Sequence, residues 1–432
     1  MNLCIIKIVV VVQLLFSVSA QAQLVSSGVP TWDKKAKGGD PVDLGTGLYE
    51  RRFTDILVYD YIPISLKRTY RNRDSASRAF GIGTNHPYEW FLWSNSRELT
   101  FVDLILEDGG RIHYGRTSAG TDYQNAVFEH VLSPTKFYKS QLKWNGNGWT
   151  IAMADGSSYK FLFCGHGGKQ KCSLINYRDG AGRELQLARD RDGNLQAITS
   201  PGMQRIEFIN DSNDRVKQAK IGGSERAVRY EYDREGRLRR VENAGIVIVD
   251  PFIRGLPREA QEYARKSAGK VTDWIEYDYD KAHNMTMVKD STGFQLINKY
   301  DSENRPIHQR LHDGRTWAFA YKTDSRGKIV QTDVTEPDGS VSRTAFTMSG
   351  NLFSVTTALG ETHESTIVYE RDRLTNQVQS ISVRCLSKDG TRITLNEKVS
   401  IEQSVDAVED RLRQKCQTKK RQPPQPPVEE SI

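Results

Sequence analysis

The sequence is poor in the residues that chemistry and membranes use most. It has 5 Cys, 6 Met and 8 His in 432 residues, and outside Met1–Gln23 no apolar run approaches the ~20 residues of a membrane-spanning helix. It also lacks a Gly-x-Ser-x-Gly nucleophile elbow, a phosphate-cradling glycine loop, a His-Glu-x-x-His zinc helix and a paired-Cys zinc framework. These absences exclude the common hydrolase, nucleotide and zinc chemistries. No catalytic, cofactor-binding or metal-ligating residue is therefore nominated, and no cofactor is expected. His308 and His312 lie four apart, but in a strand-prone stretch that spacing covers about 13 Å, too far to share a metal.

Neither sign of charge dominates the body. The formal charge is +7, of which residues 411–432 carry +4 and Lys7 one more, leaving +2 for the rest. A near-neutral body without a basic stripe does not fit nucleic acid, which is not an expected partner. Membrane contact is expected only through the first segment or the basic tail.

That first segment has Lys7, the apolar run Ile8–Val12 and Leu14-Leu15-Phe16, then Ala20-Gln21-Ala22. It reads as a secretory signal peptide, residues 1–22, which predicts an exported protein, periplasmic or secreted. Export leaves Cys164, Cys172, Cys385 and Cys416, an even set with three pairings. Cys164 and Cys172 flank a turn-rich loop between apolar strands, which favours a local disulfide; Cys385 with Cys416 follows by elimination. The alternative, that the first pair joins His166 around a metal, lacks an evident fourth ligand.

What the sequence has in abundance is one repeated phrase. Val228-Arg229-Tyr230-Glu231-Tyr232-Asp233-Arg234-Glu235-Gly236-Arg237-Leu238 runs β-prone tyrosines into an acidic turn and out through Gly-Arg-Leu. Its turn aligns with positions 193, 214, 284, 304, 327 and 350, so that successive turns from 193 are 21, 22, 48, 20, 23 and 23 residues apart. A strand, Gly/Asn turn and strand at this period predict stacked β-hairpins. Gly and Asn accept φ > 0, Asp hydrogen-bonds its own backbone, and Tyr, Val and Ile suit a pleated surface, so the acids are explained by turn chemistry.

Tyr232-Asp233, Tyr279-Asp280 and Tyr300-Asp301, with Gly236, resemble the tyrosine-aspartate repeats of the Rhs family, whose hairpins coil into a shell. Ahead of them, Gly39-Asp40-Pro41, then Arg68-Thr69-Tyr70, then His86-Pro87-Tyr88 resemble, in order, the motifs of the domain that precedes Rhs repeats. The chain departs from that pattern at Thr84-Asn85, where the family has tryptophan and a small residue. His86 reads as a structural histidine, because no nucleophile motif accompanies it.

The expected fold is mainly β: a curved open antiparallel sheet of stacked hairpins, preceded by a β-rich domain, with a short helical insertion and a C-terminal helix. The expected boundaries are a flexible lead-in 23–37, the Rhs-type leading domain 38–170, the hairpin array 171–396 with the insertion 245–270, a helix 397–416 and a basic, Pro-rich tail 417–432. Within the leading domain, turn signals about every ten residues predict a meander, whose tryptophans read as cross-strand or core pairs, the alternative being a sugar-stacking platform. Within the insertion, Pro257 to Lys266 has helix formers behind a proline start, so one repeat is replaced or interrupted there.

Full-length Rhs proteins continue to a self-cleavage segment and a toxin domain; Asp250-Pro251 only partly matches that segment and no such domain follows the array. The expected function is an exported, non-enzymatic repeat scaffold binding a protein or glycan at the bacterial envelope. The alternatives are an accessory element of an Rhs toxin-delivery system, with a separate effector or immunity protein as partner, and an exported hydrolase with an unrecognised site.

Overall fold

The computed structural model describes residues 36–131, 136–163, 171–249, 272–372, 377–386, 390–400 and 404–418. The signal segment, Cys164, His166, the predicted helix of the insertion and the Pro-rich stretch of the tail lie outside them. The chain divides into two compact units, one built on Tyr49–Asn298, the other combining the segment before Tyr49 with the chain from Lys299 onward. This division differs from the boundaries expected from sequence: Gly39-Asp40-Pro41 belongs with the later repeats, and Ser158–Leu162 pairs with Cys172–Arg178 across the expected border.

In the first unit, eight strands close on themselves: Phe91–Trp93, Phe101–Ile105, Arg111–Arg116, Val127–Glu129, Gln141–Trp144, Gly148–Ala152, Ser158–Leu162 and Cys172–Arg178. Each pairs antiparallel with the next, and the last returns to the first through Cys172↔Leu92 and Ser173↔Phe91. The period-two pattern buries Leu104, Tyr114, Phe128, Leu142, Ile151, Phe161 and Leu174, which form the core of the closed sheet. The predicted meander is therefore a barrel.

From Cys172–Arg178 the ladder continues as antiparallel hairpins through Glu184–Arg189, Leu195–Thr199, Arg205–Asn210, Val216–Ile221, Ala227–Tyr232, Leu238–Ala244, Thr272–Tyr279, Met285–Asp290 and Gln295–Tyr300. The repeat turns share one build, with Thr347 standing in for the aspartate at the last of them. In the unit opened by Asp233, the Gly236 N–H bonds the Asp233 carbonyl at 3.1 Å, Asp233 Oδ1 accepts the Arg237 N–H at 2.8 Å, and Gly236 has φ +85°. The register shifts by one beside it, between Glu231 and Tyr232. This is a turn followed by a left-handed residue and a bulge, which accentuates local twist.

Two sequence readings change here. The left-handed position of the fourth turn is His283 (φ +65°), not Asn284, which lies one residue further on. The long interval interrupts a connection and replaces no repeat: Leu238–Ala244 pairs directly with Thr272–Tyr279, with Arg240 opposite Glu276. The first residues of the insertion are a strand, Ile246–Val249, parallel to Ile56–Tyr59.

Against this ladder lies a long hairpin, Leu48–Tyr59 with Ile64–Arg71, extended by the short strand Thr84–Asn85 that pairs with Thr69 and Tyr70. Thr84 and Asn85, where the family pattern differs, are both buried.

In the second unit, Lys37–Gly38 pairs with Val42–Asp43, so the predicted lead-in ends in a strand at Lys37. Hairpins run from Pro306–Leu311 to Val378–Leu386 and Arg392–Lys398. The C-terminal helix spans Val405–Thr418, later than the predicted 397–416, because Arg392–Lys398 is still a strand and Ser404 caps the helix by accepting the Ala407 N–H at 3.1 Å. Val405, Val408, Leu412 and Cys416 pack on Leu352, Ile367, Tyr369, Ile381, Val383 and Cys385. Cys385 and Cys416 form a disulfide, Cα atoms 6.4 Å apart. Cys172 is also a half-cystine.

Candidate functional site: the leading motifs and the cavity beside His86

The motif residues that carry polar chemistry are used to fasten the long hairpin to the ladder. Arg68 and Asp55 face each other across the hairpin, Nε to Oδ2 2.5 Å and Nη2 to Oδ1 2.9 Å, with 1% and 0% of their side chains exposed. Arg68 Nη1 donates to the Tyr277 hydroxyl at 3.1 Å, and the Tyr230 hydroxyl donates to Asp55 at 2.8 Å. Burial works against the charge on Arg68, but Asp55 and the two tyrosines outweigh it and hold its pKa well above the ordinary value. Phe53, Tyr230 and Tyr277 surround the guanidinium with their rings. Two residues on, the Tyr70 hydroxyl donates to the His283 carbonyl and accepts the Met285 N–H, both at 2.8 Å. Thr69, between them, is buried.

The repeat tyrosines follow one rule. Tyr232 donates to the Val216 carbonyl (2.6 Å) and Tyr279 to the Leu238 carbonyl (2.8 Å), each reaching the strand that leaves the preceding turn. Asp280 accepts the Asn284 N–H at 2.9 Å, and in the second unit Asp301, which follows Tyr300, accepts that of Arg305 at 2.8 Å. In that second unit, Gln309, 0% exposed, grips Gly39-Asp40-Pro41: it accepts the Asp40 N–H at 2.8 Å and donates to the Asp40 carbonyl at 3.0 Å.

His86 is wholly buried, stacked near Phe208 and edge-on to Phe80. The Tyr88 N–H donates to its Nδ1 at 3.2 Å, so the neutral ring carries its proton on Nε2. Burial pushes its pKa down to about 4, with Arg189 adding to the effect. Nε2 lies 3.6 Å from Glu89 Oε1, beyond hydrogen-bond length, and Glu89 is claimed by Arg189 at 3.0 Å. Burial raises the Glu89 pKa, but Arg189 and His86 pull it below the usual value. Arg189 also donates to the Tyr88, Leu174 and Gly193 carbonyls and so joins the His86-Pro87-Tyr88 turn to the first hairpin. The Tyr88 hydroxyl accepts the Ser65 N–H at 2.8 Å.

Beside His86 opens a cavity of about 430 Å³. Asn85, His86 and Glu89 lie toward its floor, Asn194 and Asn210 along its wall, and Lys171, Arg191, Asp192 and Asp214 at its exposed rim. Sequence reasoning found His86 but missed Asp55, Arg189, Gln309 and Asn210. Asp55 had a signal, a lone acid within the β-prone run Phe53–Tyr59; the other three had none. Among the described residues no group of three or more His, Cys, Asp and Glu is placed to hold a metal. The tryptophans pair as the cross-strand reading expects: Trp144 faces Trp149 at 5.6 Å, and Trp90 packs on Tyr159 at 5.2 Å.

A family described as "Domain of unknown function (DUF6531)" matches residues 39–114. Two curated proteins of Dickeya dadantii (strain 3937) are similar: "Probable deoxyribonuclease RhsA", 23% identical over 300 residues covering 68% of this chain and 18% of that protein, and "Probable deoxyribonuclease RhsB", 23% identical over 323 residues, 73% and 20%. The chain is similar to Rhs-type proteins over about 70% of its length. It spans about a fifth of the length of these curated relatives. Among solved structures, the TcdB2–TccC3 complex matches over 83% of this chain and 23% of its own, at 11% identity and a TM-score of 0.28. The Photorhabdus luminescens Tc holotoxin pore matches over 88% and 25%, at 10% identity and a TM-score of 0.28.

Proposed function

We propose that this chain is an exported, non-enzymatic scaffold that holds a protein or glycan partner at the bacterial envelope. The observation that carries this reading is the use made of the motif chemistry. Arg68, Asp55, Tyr70, the repeat aspartates and Gln309 are consumed in fastening one part of the chain to another, and His86 is wholly buried with its Nδ1 held by the Tyr88 N–H. Side chains so engaged support a surface and leave little for turnover. The signal-like segment 1–22 supports export, to the periplasm or beyond.

The test is a pull-down with the mature, tagged protein from its native envelope. A specific protein or glycan that co-purifies, and is displaced by untagged protein, is the expected result. Turnover of an envelope substrate that disappears in His86→Ala would replace this reading with the hydrolase reading. A second reading, an accessory element of a toxin-delivery system, is favoured by the relatives' names as probable deoxyribonucleases. It expects the captured partner to be an effector or immunity protein.

A further inference from the structure

Arg392–Lys398 is the last strand of the hairpin series, and among the described residues it pairs on one side only, with Val378–Leu386. The Val399 N–H bonds the Gln379 carbonyl at 2.7 Å in the same register. Backbone groups alternate along an antiparallel ladder, so Ile393, Leu395 and Glu397 also turn theirs to Val378–Leu386, and Arg392, Thr394, Asn396 and Lys398 turn theirs outward. All four of these residues are exposed, so a row of N–H and C=O groups stands open to a further strand. Ile393 and Leu395 are half-buried and pack toward the C-terminal helix. The edge is also cationic. Arg392 and Lys398 share its outer face with Arg384, which lies opposite Thr394, and none of the three has an acidic partner among the described residues. Glu370, further in on that face, accepts the Ser380 hydroxyl. On the other face the exposed Arg411 and Lys415 of the helix share Glu397.

From this edge we propose that Arg392–Lys398 takes up an extended segment of a partner protein as an added antiparallel strand, one that alternates acidic with apolar residues. Main-chain hydrogen bonds supply the affinity of such an addition, and the alternate side chains supply its selectivity. Acidic side chains set opposite Arg392 and Lys398 meet unpaired cations, while the apolar ones lie beside Ile393 and Leu395. A second copy of the strand would bring its own Arg392 and Lys398 against the same cations, and like charges across a ladder repel. The charge that guards the edge against self-association thus admits an acidic strand. The assignment rests on the scaffold reading above and makes its partner a protein.

Fluorescence anisotropy of the full mature chain tests it, with the labelled peptide Glu-Val-Glu-Val-Glu-Val-Glu as probe. The comparators are the same peptide with Lys for Glu, and the acidic peptide N-methylated at its two central Glu residues, which keeps the charge and removes the pairing N–H groups. Saturable binding of the acidic peptide at a Kd of about 100 μM or tighter is expected, with both comparators at least tenfold weaker. Asn396→Pro removes an outward-facing N–H and no ladder bond, so affinity should fall at least tenfold at an unchanged melting temperature. Arg392→Glu with Lys398→Glu, both exposed, should reverse the preference toward the Lys peptide, and decides the matter if the proline perturbs the fold. Absence of saturable binding, equal affinity for the N-methylated peptide, or full affinity in Asn396→Pro overturns the assignment. So does a dimer of the native chain that Asn396→Pro dissociates, or peptide binding only after removal of residues 419–432, since a second copy or the chain's own tail then covers the edge. Envelope capture that succeeds equally with the native chain and Asn396→Pro sinks this site and leaves the scaffold reading standing; peptide binding without specific capture does the reverse.

Discussion

Arg68 and Asp55 form a buried ion pair joined by two hydrogen bonds of 2.5 and 2.9 Å, and two repeat tyrosines, Tyr230 and Tyr277, complete the cluster from different strands of the ladder. Removing one charge strands the other. Asp55→Ala is expected to destabilise the first unit by about 3–5 kcal/mol, whereas the double substitution Asp55→Leu with Arg68→Met costs much less than the sum of the singles. Urea denaturation of the four proteins gives the coupling directly. Additive single effects would mean that the pair is not a locking contact.

Tyr70 and Tyr279 make an unequal comparison with the same chemical deletion. Tyr70→Phe leaves both the His283 carbonyl and the Met285 N–H unmatched in a buried place, and should cost about 2–3 kcal/mol. Tyr279→Phe loses one bond to the Leu238 carbonyl and should cost about 1 kcal/mol. The measurement is the shift in denaturation midpoint at constant m-value.

Gly39 and Gly314 both have φ > 0, at +58° and +88°, but their surroundings differ. A Cβ at Gly39 would overlap Gln309 and Phe319, while at Gly314 no atom lies within 4 Å. Gly314→Ala should cost only the backbone penalty of about 1–2 kcal/mol. Gly39→Ala should cost more and raise hydrogen exchange at Asp40, whose N–H is held by Gln309.

The His86 region should make the first unit acid-labile. His86 titrates near 6.5 when unfolded and near 4 when folded, so between those values only the unfolded chain takes up the proton. Stability therefore falls as pH drops through that window, by up to about 3 kcal/mol, and is independent of this group above it. Glu89, whose folded pKa is depressed, adds a loss at lower pH still. Denaturation from pH 7 to 3 should show a shallower loss between 6.5 and 4 in His86→Gln, with the Glu89 contribution retained.

The Cys385–Cys416 bond closes a 31-residue separation and ties the C-terminal helix to the sheet. Replacing both with Ser is expected to cost about 3–4 kcal/mol on chain-entropy grounds. Tyr369, whose hydroxyl donates to Glu409 of that helix at 2.7 Å, should become accessible to a phenol-directed probe. An unchanged Tyr369 signal would show that helix packing does not depend on the bond.

The sequence by itself determined the repeat. Turn chemistry is local, so Asp233, Gly236 and their equivalents announced hairpins of fixed length wherever they occurred. Even the misplaced fourth turn was legible, since the left-handed residue always lies three after the turn aspartate: Gly236 after Asp233, Asn304 after Asp301, and hence His283 after Asp280. The order of the leading motifs was legible for the same reason. What only the tertiary structure decided is which distant residues meet. Asp55 with Tyr230, Arg189 with Glu89, and Gln309 with Asp40 are 175, 100 and 269 residues apart, and no local rule relates them. The closing of eight strands into a barrel rests on the pairing of Cys172 with Leu92. The convergence of Asn85, His86 and Asn210 on one cavity likewise exists only once the sheet has brought the His86 turn beside the second and third hairpins. Such contacts depend on burial and geometry shared across the fold, which a linear pattern does not carry.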